Sequence, residues 1–217
     1  MSESSQAPWP LSWIGRWHNA FVFQRRVRVL AEMLSAQIPQ GARVLDIGCG
    51  DGTIGSLIAQ RRPDISIHGV EVLPRSGCKI ACTPFDGKTL PFAGAAFDLC
   101  MFVDVLHHTP DVTILLKEAV RVSRQLILLK DHRDQNICDD VRLRLMDWVG
   151  NRPHGVVLPY NYQSEEKWRA HFAACGAQPL FWTNDVPLYL APFSWLFGGE
   201  LHFVALLQKD SARNGET

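Results

Sequence analysis

Apolar residues recur along this chain in short runs, and the runs break at glycine, proline or an acid. Between Trp9 and Gln37, Val22, Val29, Leu30, Met33 and Leu34 stand at helical spacing, with Gln24, Arg25, Arg26 and Arg28 among them. This predicts an N-terminal helical cap over residues 9–38, ended by Pro39-Gln40-Gly41. A strand follows over Arg43–Ile47, then a helix over Thr53–Arg61, a strand over Ile65–Val72 and a short third strand over Lys79–Cys82. Phe97–Val103 is a strong apolar strand, and Pro110-Asp111 opens a helix over Val112–Val122. Gln125–Leu129 is nearly pure leucine and isoleucine, as in a strand covered on both faces.

The second half predicts a helix over Gln135–Val149 and an ordered loop over Gly150–Gln163. A helix over Glu165–Cys175 and strands over Pro179–Thr183 and His202–Gln208 complete it. Ser164 stands at an N-cap, but Lys167 occupies the position where a capping box needs Glu or Gln. Residues 1–8 and 209–217 are polar and are expected to be disordered. Alternating strands and helices imply a single α/β domain with a mostly parallel sheet covered on both faces.

Composition narrows the class. The chain has 217 residues, 47% hydrophobic, which suits one domain with a full core. Lys+Arg and Asp+Glu are both 22, so no basic excess points to nucleic acid. Met1–Gln6 lacks the basic and apolar regions of a secretory signal, and the richest apolar stretch, Val186–Leu207, is interrupted by prolines, glycines, Glu200 and His202. A cytoplasmic protein is expected. The six cysteines are scattered without a CxxC pair, so neither a disulfide framework nor a metal site is indicated.

The most informative segment is Val44-Leu45-Asp46-Ile47-Gly48-Cys49-Gly50-Asp51-Gly52-Thr53. A strand ends in an acid and breaks into a loop with glycine at every second position. That is where an open α/β sheet binds a nucleotide. Gly50 to Gly55 also matches the dinucleotide pattern GxGxxG, but out of register with the first turn glycine, Gly48. Charge separates the readings. Asp46 and Asp51 would repel a pyrophosphate by several kcal/mol on the scale of poorly screened like charges. A cofactor carrying an ammonium and a sulfonium gains instead. Glu71, ending the second strand, suits a ribose diol, and Asp86 suits an adenine amine.

With these landmarks in order, the chain resembles the class I S-adenosylmethionine-dependent methyltransferases, in their broad bacterial branch. The likeness covers Ala42 to Leu129. It rests on Val44 to Gly52, on Glu71, and on Asp86-Gly87-Lys88-Thr89-Leu90-Pro91-Phe92 followed by Phe97-Asp98. It continues through Val105-Leu106-His107-His108 and through Glu118, Arg121 and Val122. The family's Lys-Pro-Gly-Gly turn is replaced by Ser123-Arg124-Gln125. The resemblance implies a Rossmann-like three-layer sandwich whose seven-stranded sheet has an antiparallel last strand. It implies that S-adenosyl-L-methionine is held by Asp46, Gly48, Cys49 and Gly50 at its methionine part and by Glu71 at the ribose. Val72, Asp86 and Gly87 would meet the adenine, with Val103 near the methionine group.

Methyl transfer needs alignment more than proton chemistry. Candidates for an acceptor-side base follow the fourth and fifth strands: Asp104, His107 and His108, then Asp131 and His132. His108 and His132 are the two selected, His132 because an adjoining carboxylate can tune a histidine near neutral pH. Lys130 is read as a solvated strand end. Trp148 to His154 and Pro159-Tyr160-Asn161-Tyr162 are read as a substrate wall. Aromatic clusters near both ends raise peripheral membrane contact, but packing is the favoured reading. The expected partner is a small, apolar or aromatic methyl acceptor. The alternatives are a protein or RNA acceptor, or a non-catalytic cofactor-binding partner subunit.

Overall fold

The computed structural model describes residues 23–134, 139–144, 161–191, 194–195 and 198–210. Its centre is a seven-stranded sheet: β1 (Arg43–Ile47), β2 (Ser66–Glu71), β3 (Cys82–Pro84), β4 (Phe97–Val103), β5 (Ser123–His132), β6 (Ala177–Thr183) and β7 (His202–Lys209). The order is β3-β2-β1-β4-β5-β7-β6. Every pairing from β3 to β5 is parallel, and β7 runs antiparallel between β5 and β6. The expected Rossmann-like sheet with an antiparallel last strand is therefore present. The order reverses between β1 and β4, and their carboxyl ends open the crevice in which such sheets bind ligands.

Among the described residues four helices cover the faces: α1 (Gln24–Ser35), α2 (Thr53–Arg61), α3 (Val112–Val122) and α4 (Glu165–Ala174). Residues 139–144 are also helical. One core lies between the sheet and α3 and α4, where Leu115, Leu116, Trp168 and Phe172 meet Leu129 and Phe203. The other lies beneath α1 and α2, where Leu30, Leu34 and Ile58 meet Leu99, Met101 and Leu128. Asp111 caps α3 by accepting from the Thr113 amide at 2.8 Å. Ser164 caps α4 by accepting from the Lys167 amide at 3.3 Å, so one half of a capping box suffices.

The differences from expectation are local. The third strand is Cys82–Pro84 rather than Lys79–Cys82. The preceding residues fold back over the glycine loop, where the Lys79 amide donates to Asp51 at 3.0 Å. β5 extends beyond its apolar run at both ends, because β4 and β7 continue to offer it ladder partners. Lys209 belongs to β7, and the Asp210 amide donates to Gly176 at 2.9 Å, so the ordered chain outlasts its expected end. The expected helix over Gln135–Val149 lies partly outside the described residues, as do the expected wall (Trp148 to His154 and Pro159 to Tyr162) and the predicted cap, of which residues 9–22 are not described. Among the described residues no helix is long and apolar enough to cross a membrane.

Candidate functional site

The glycine loop leaves β1 and passes over the end of β2. Gly48, Gly50 and Gly52 have φ values of +72°, +60° and +73°, in the left-handed region where a Cβ is strained. At Gly48 a Cβ would also lie 2.7 Å from Val105 Cγ2. The Gly48 and Cys49 amides donate to the Val70 carbonyl at 2.8 and 3.2 Å. The Gly50 amide donates to Glu71 Oε2, and the Val72 amide to Glu71 Oε1, each at 2.8 Å. Glu71 is thus fixed against the loop, and each oxygen retains capacity to accept another donor.

Asp46, on β1, is buried, and among the described residues no hydrogen bond or ion pair reaches its carboxylate. Burial first, and the Glu71 charge second, push its pKa up to about 7. Lys79, the nearby cation, is instead engaged with Asp51 at 3.3 Å and Thr53 at 2.5 Å. Two acids close together, with no basic partner among the described residues, make a seat for positive charge. Beyond Glu71, Val72 and Leu73 are 48% and 81% exposed. Gly87 lies against Val72, its position for a Cβ 3.3 Å from Val72 Cγ2. Asp86 closes its own turn through the Thr89 and Lys88 amides at 2.7 and 2.8 Å, which hold its carboxyl below the usual range. An apolar ledge, a bare glycine and a fixed acid suit a flat heterocycle with an amine.

A second cluster is built from the end of β4 and the prolonged end of β5. Asp104 follows β4 with φ +57°, an uncommon conformation for a side-chain-bearing residue. It is held there by Lys130 and Arg26, which both donate to its carboxylate, and by its own amide, which donates to the Lys130 carbonyl at 2.9 Å. Burial alone would raise its pKa, but the Lys130 and Arg26 charges hold it well below the usual carboxylate range. Lys130 is fully buried. This corrects its reading as a solvated strand end: β5 does not stop at Leu129 but carries Lys130 between β4 and β7.

Asp131, also fully buried, ties the 3-10 turn Leu106–His108 to β5. It accepts from the Leu106 amide at 3.0 Å, the His132 amide at 2.7 Å and pairs with His107 Nδ1 at 2.5 Å. The His132 ring meets His107 edge-on at 4.6 Å between centroids and lies 4.9 Å from His202. His132 is not tuned near neutral pH. Burial, then the Lys130 charge, with His107 and His202 adding to it, holds its pKa well below the ordinary value. His108 is half-buried at the rim of the same turn. Asn161 Nδ2 donates to the Thr109 carbonyl at 3.0 Å, and Tyr162 stacks on His107 at 5.8 Å, so both brace this turn.

The fold therefore gathers Asp104, His107, His108, Asp131 and His132 in one cluster, as their positions after β4 and β5 suggested. It adds Arg26 and His202, which sequence reasoning did not include, and brings Tyr162 of the expected wall against His107. Arg26 stands four residues before Leu30, which is buried, so helical spacing already placed it on the inward face of α1.

Residues 17–180 match a family model described as a methyltransferase domain. The 27-O-demethylrifamycin SV methyltransferase of Amycolatopsis mediterranei is 27% identical over 44% of this chain and 40% of its own length. An uncharacterized methyltransferase of Mycobacterium bovis is 33% identical over 39% of this chain and 47% of its own. The chain spans less than half the length of these relatives. The 1,6-didemethyltoxoflavin-N1-methyltransferase of Burkholderia thailandensis, solved with 1,6-didemethyltoxoflavin and S-adenosylhomocysteine, superposes with a TM-score of 0.61. It is 14% identical and covers 96% of this chain and 93% of its own, a likeness of fold alone.

Proposed function

This chain belongs to the methyltransferase domain family, within the class I S-adenosylmethionine-dependent enzymes, and we propose that it methylates a small, apolar or aromatic organic acceptor by in-line transfer. The observation that carries this is the pair Asp46 and Glu71 under the glycine loop, two neighbouring acids beside an apolar ledge, suited to a cation. S-adenosylmethionine, the cofactor, supplies when bound an electrophilic methyl group on a sulfonium.

Asp46 and the backbone of Gly48, Cys49 and Gly50 would hold the methionine part. Glu71 would accept from the ribose hydroxyls with the oxygen capacity left by the Gly50 and Val72 amides. Val72, Asp86 and Gly87 would hold the adenine, and the Val103 backbone would serve the methionine group. On the acceptor side His108, at the rim of the turn, takes a proton where the acceptor must lose one. His132 stays neutral and fixes the turn through its packing on His107. The Asp104–Lys130–Arg26 group holds the β4 end rigid, so that the acceptor meets a preorganised wall.

Zero net charge and the small organic acceptors that name two of the similar proteins support this acceptor class. The proposal extends to a cytoplasmic location. The test is a labelled methyl donor added with purified protein to an extract from cells lacking it. Label in the solvent-extractable fraction is expected. Label in protein or RNA overturns the acceptor class; cofactor binding without transfer to any fraction points to a partner subunit; no binding by calorimetry sinks the whole reading.

A further inference from the structure

Cys49, Cys78 and Cys82 come from three different segments: the glycine loop, the connection after β2, and β3. Their sulfur atoms all lie within 4.8 Å of one another, and Cys49 and Cys82 are 3.6 Å apart. Three sulfurs each about 2.3 Å from a shared ion would stand roughly 3.8–4.0 Å apart. The observed cluster needs only small side-chain adjustments to reach that spacing.

The surrounding backbone makes room for the sulfurs. A Cβ on Gly69 would fall 2.5 Å from Cys49 Sγ, and a Cβ on Gly52 would fall 3.0 Å from Cys78 Sγ. Both thiols therefore occupy space that any larger residue at these glycines would take. All three cysteines are only partly buried, so an ion can reach them from solvent. The charges nearby are favourable to a cation: Asp46 lies close enough to act on the Cys49 thiol, and Glu71 on that of Cys82. Lys79 is turned onto Asp51 and Thr53.

We propose that Cys49, Cys78 and Cys82 form a three-sulfur site for a thiophilic divalent cation such as zinc, cross-linking the cofactor loop to β3. Binding converts three S–H groups into three metal–sulfur bonds and releases three protons to solvent, with no change of oxidation state. Burial pushes the Cys49 and Cys82 thiols above their ordinary pKa, so the protons leave with metal binding rather than before it. The site borders the proposed cofactor seat through Cys49, Asp46 and Glu71, but metal binding itself requires neither cofactor nor acceptor, so its failure and the failure of the methyl-transfer reading are distinguishable.

The test uses the full chain, reduced and then freed of reductant, titrated with cadmium as a spectroscopic stand-in for zinc. An ultraviolet sulfur-to-cadmium charge-transfer band saturating at one cadmium per chain is expected, with three thiols withdrawn from a thiol reagent. The band should weaken in C49S, C78S and C82S and stay unchanged in C175S, whose sulfur lies near Thr113 on the α3 side. Zinc should displace cadmium and abolish the band. Absence of the band in the unmodified protein overturns the proposal, as does its survival in the triple serine variant. Because the first titration needs no variant, a misfolded mutant cannot protect the idea.

Discussion

Asp46→Asn separates the cost of a buried acid from its use. Asp46 has a pKa of about 7 in the folded protein against 3.8 for the free side chain. Between those values the folded state retains a proton that the unfolded state loses, so stability falls as pH rises from about 4 to about 7. Each pH unit in that window costs about 1.4 kcal/mol, and the whole shift about 4 kcal/mol as an order of magnitude. Above pH 7 the penalty is complete and constant. Asparagine keeps the shape and never ionises. Its stability advantage in the cofactor-free protein should therefore grow between pH 5 and pH 7 and then level off. For a chain of this size about 1 kcal/mol moves Tm by roughly 2–4 °C, so the advantage should widen by about 5–10 °C across that window. Thermal unfolding of both proteins, followed by circular dichroism at half-unit pH steps, measures it. Saturating S-adenosylmethionine should reverse the order, because its positive charge favours ionised Asp46 and the amide offers none. Cofactor affinity of the unmodified protein should accordingly rise with pH through about 7. An advantage of asparagine that is independent of pH, or an unchanged affinity for the cofactor, would refute the assignment of Asp46 as an uncompensated acid awaiting a cation.

Three further outcomes follow from the same geometry. Glu71→Gln should weaken cofactor binding about 10–100-fold by calorimetry, since charge-assisted hydrogen bonds to a carboxylate contribute about 1.5–3 kcal/mol. Lys130→Met leaves the Asp104 carboxylate with Arg26 alone and should destabilise the fold by about 3–5 kcal/mol in urea titration; a loss below about 1 kcal/mol would show that the pair is hydrated. Asp131→Ala removes the acceptor for the Leu106 and His132 amides, so both should exchange hydrogen much faster while β1 and β2 amides keep their protection.

Which parts were legible in sequence follows from the range of the forces involved. β1, α2, β4 and α3 were readable to the residue because each is a local pattern with its own stop: a glycine, a proline or an Asx cap. The proposed seat of the cofactor lies in the same kind of local pattern: its acids end strands, and strand ends are marked by the glycine loop and by the change from apolar to polar residues. The third strand was misplaced because β3 exists only as a partner to β2, where Gly69 and Val70 pair with Cys82 and Thr83. No periodicity in three residues can announce that.

The cluster after β4 and β5, the proposed acceptor side, belongs to tertiary structure. Lys130, Asp131 and His132 read as a polar ending, and in solution they would be one. Here β4 and β7 flank them, solvent is excluded, and each charge must find a buried partner: Asp104 for Lys130, the turn at Leu106 and His107 for Asp131. That same exclusion lowers the pKa of His132, which a neighbouring carboxylate in sequence had suggested would stay near neutral. The three thiols are a similar case, distant in the chain and adjacent only because β2 and β3 pair. Sequence alone thus determined the kind of fold and the kind of cofactor, since both are written in local spacing and in the sign of a few charges. Burial and partnership decided which of those charges remain free to act, because desolvation is a property of the assembled sheet and of no single segment.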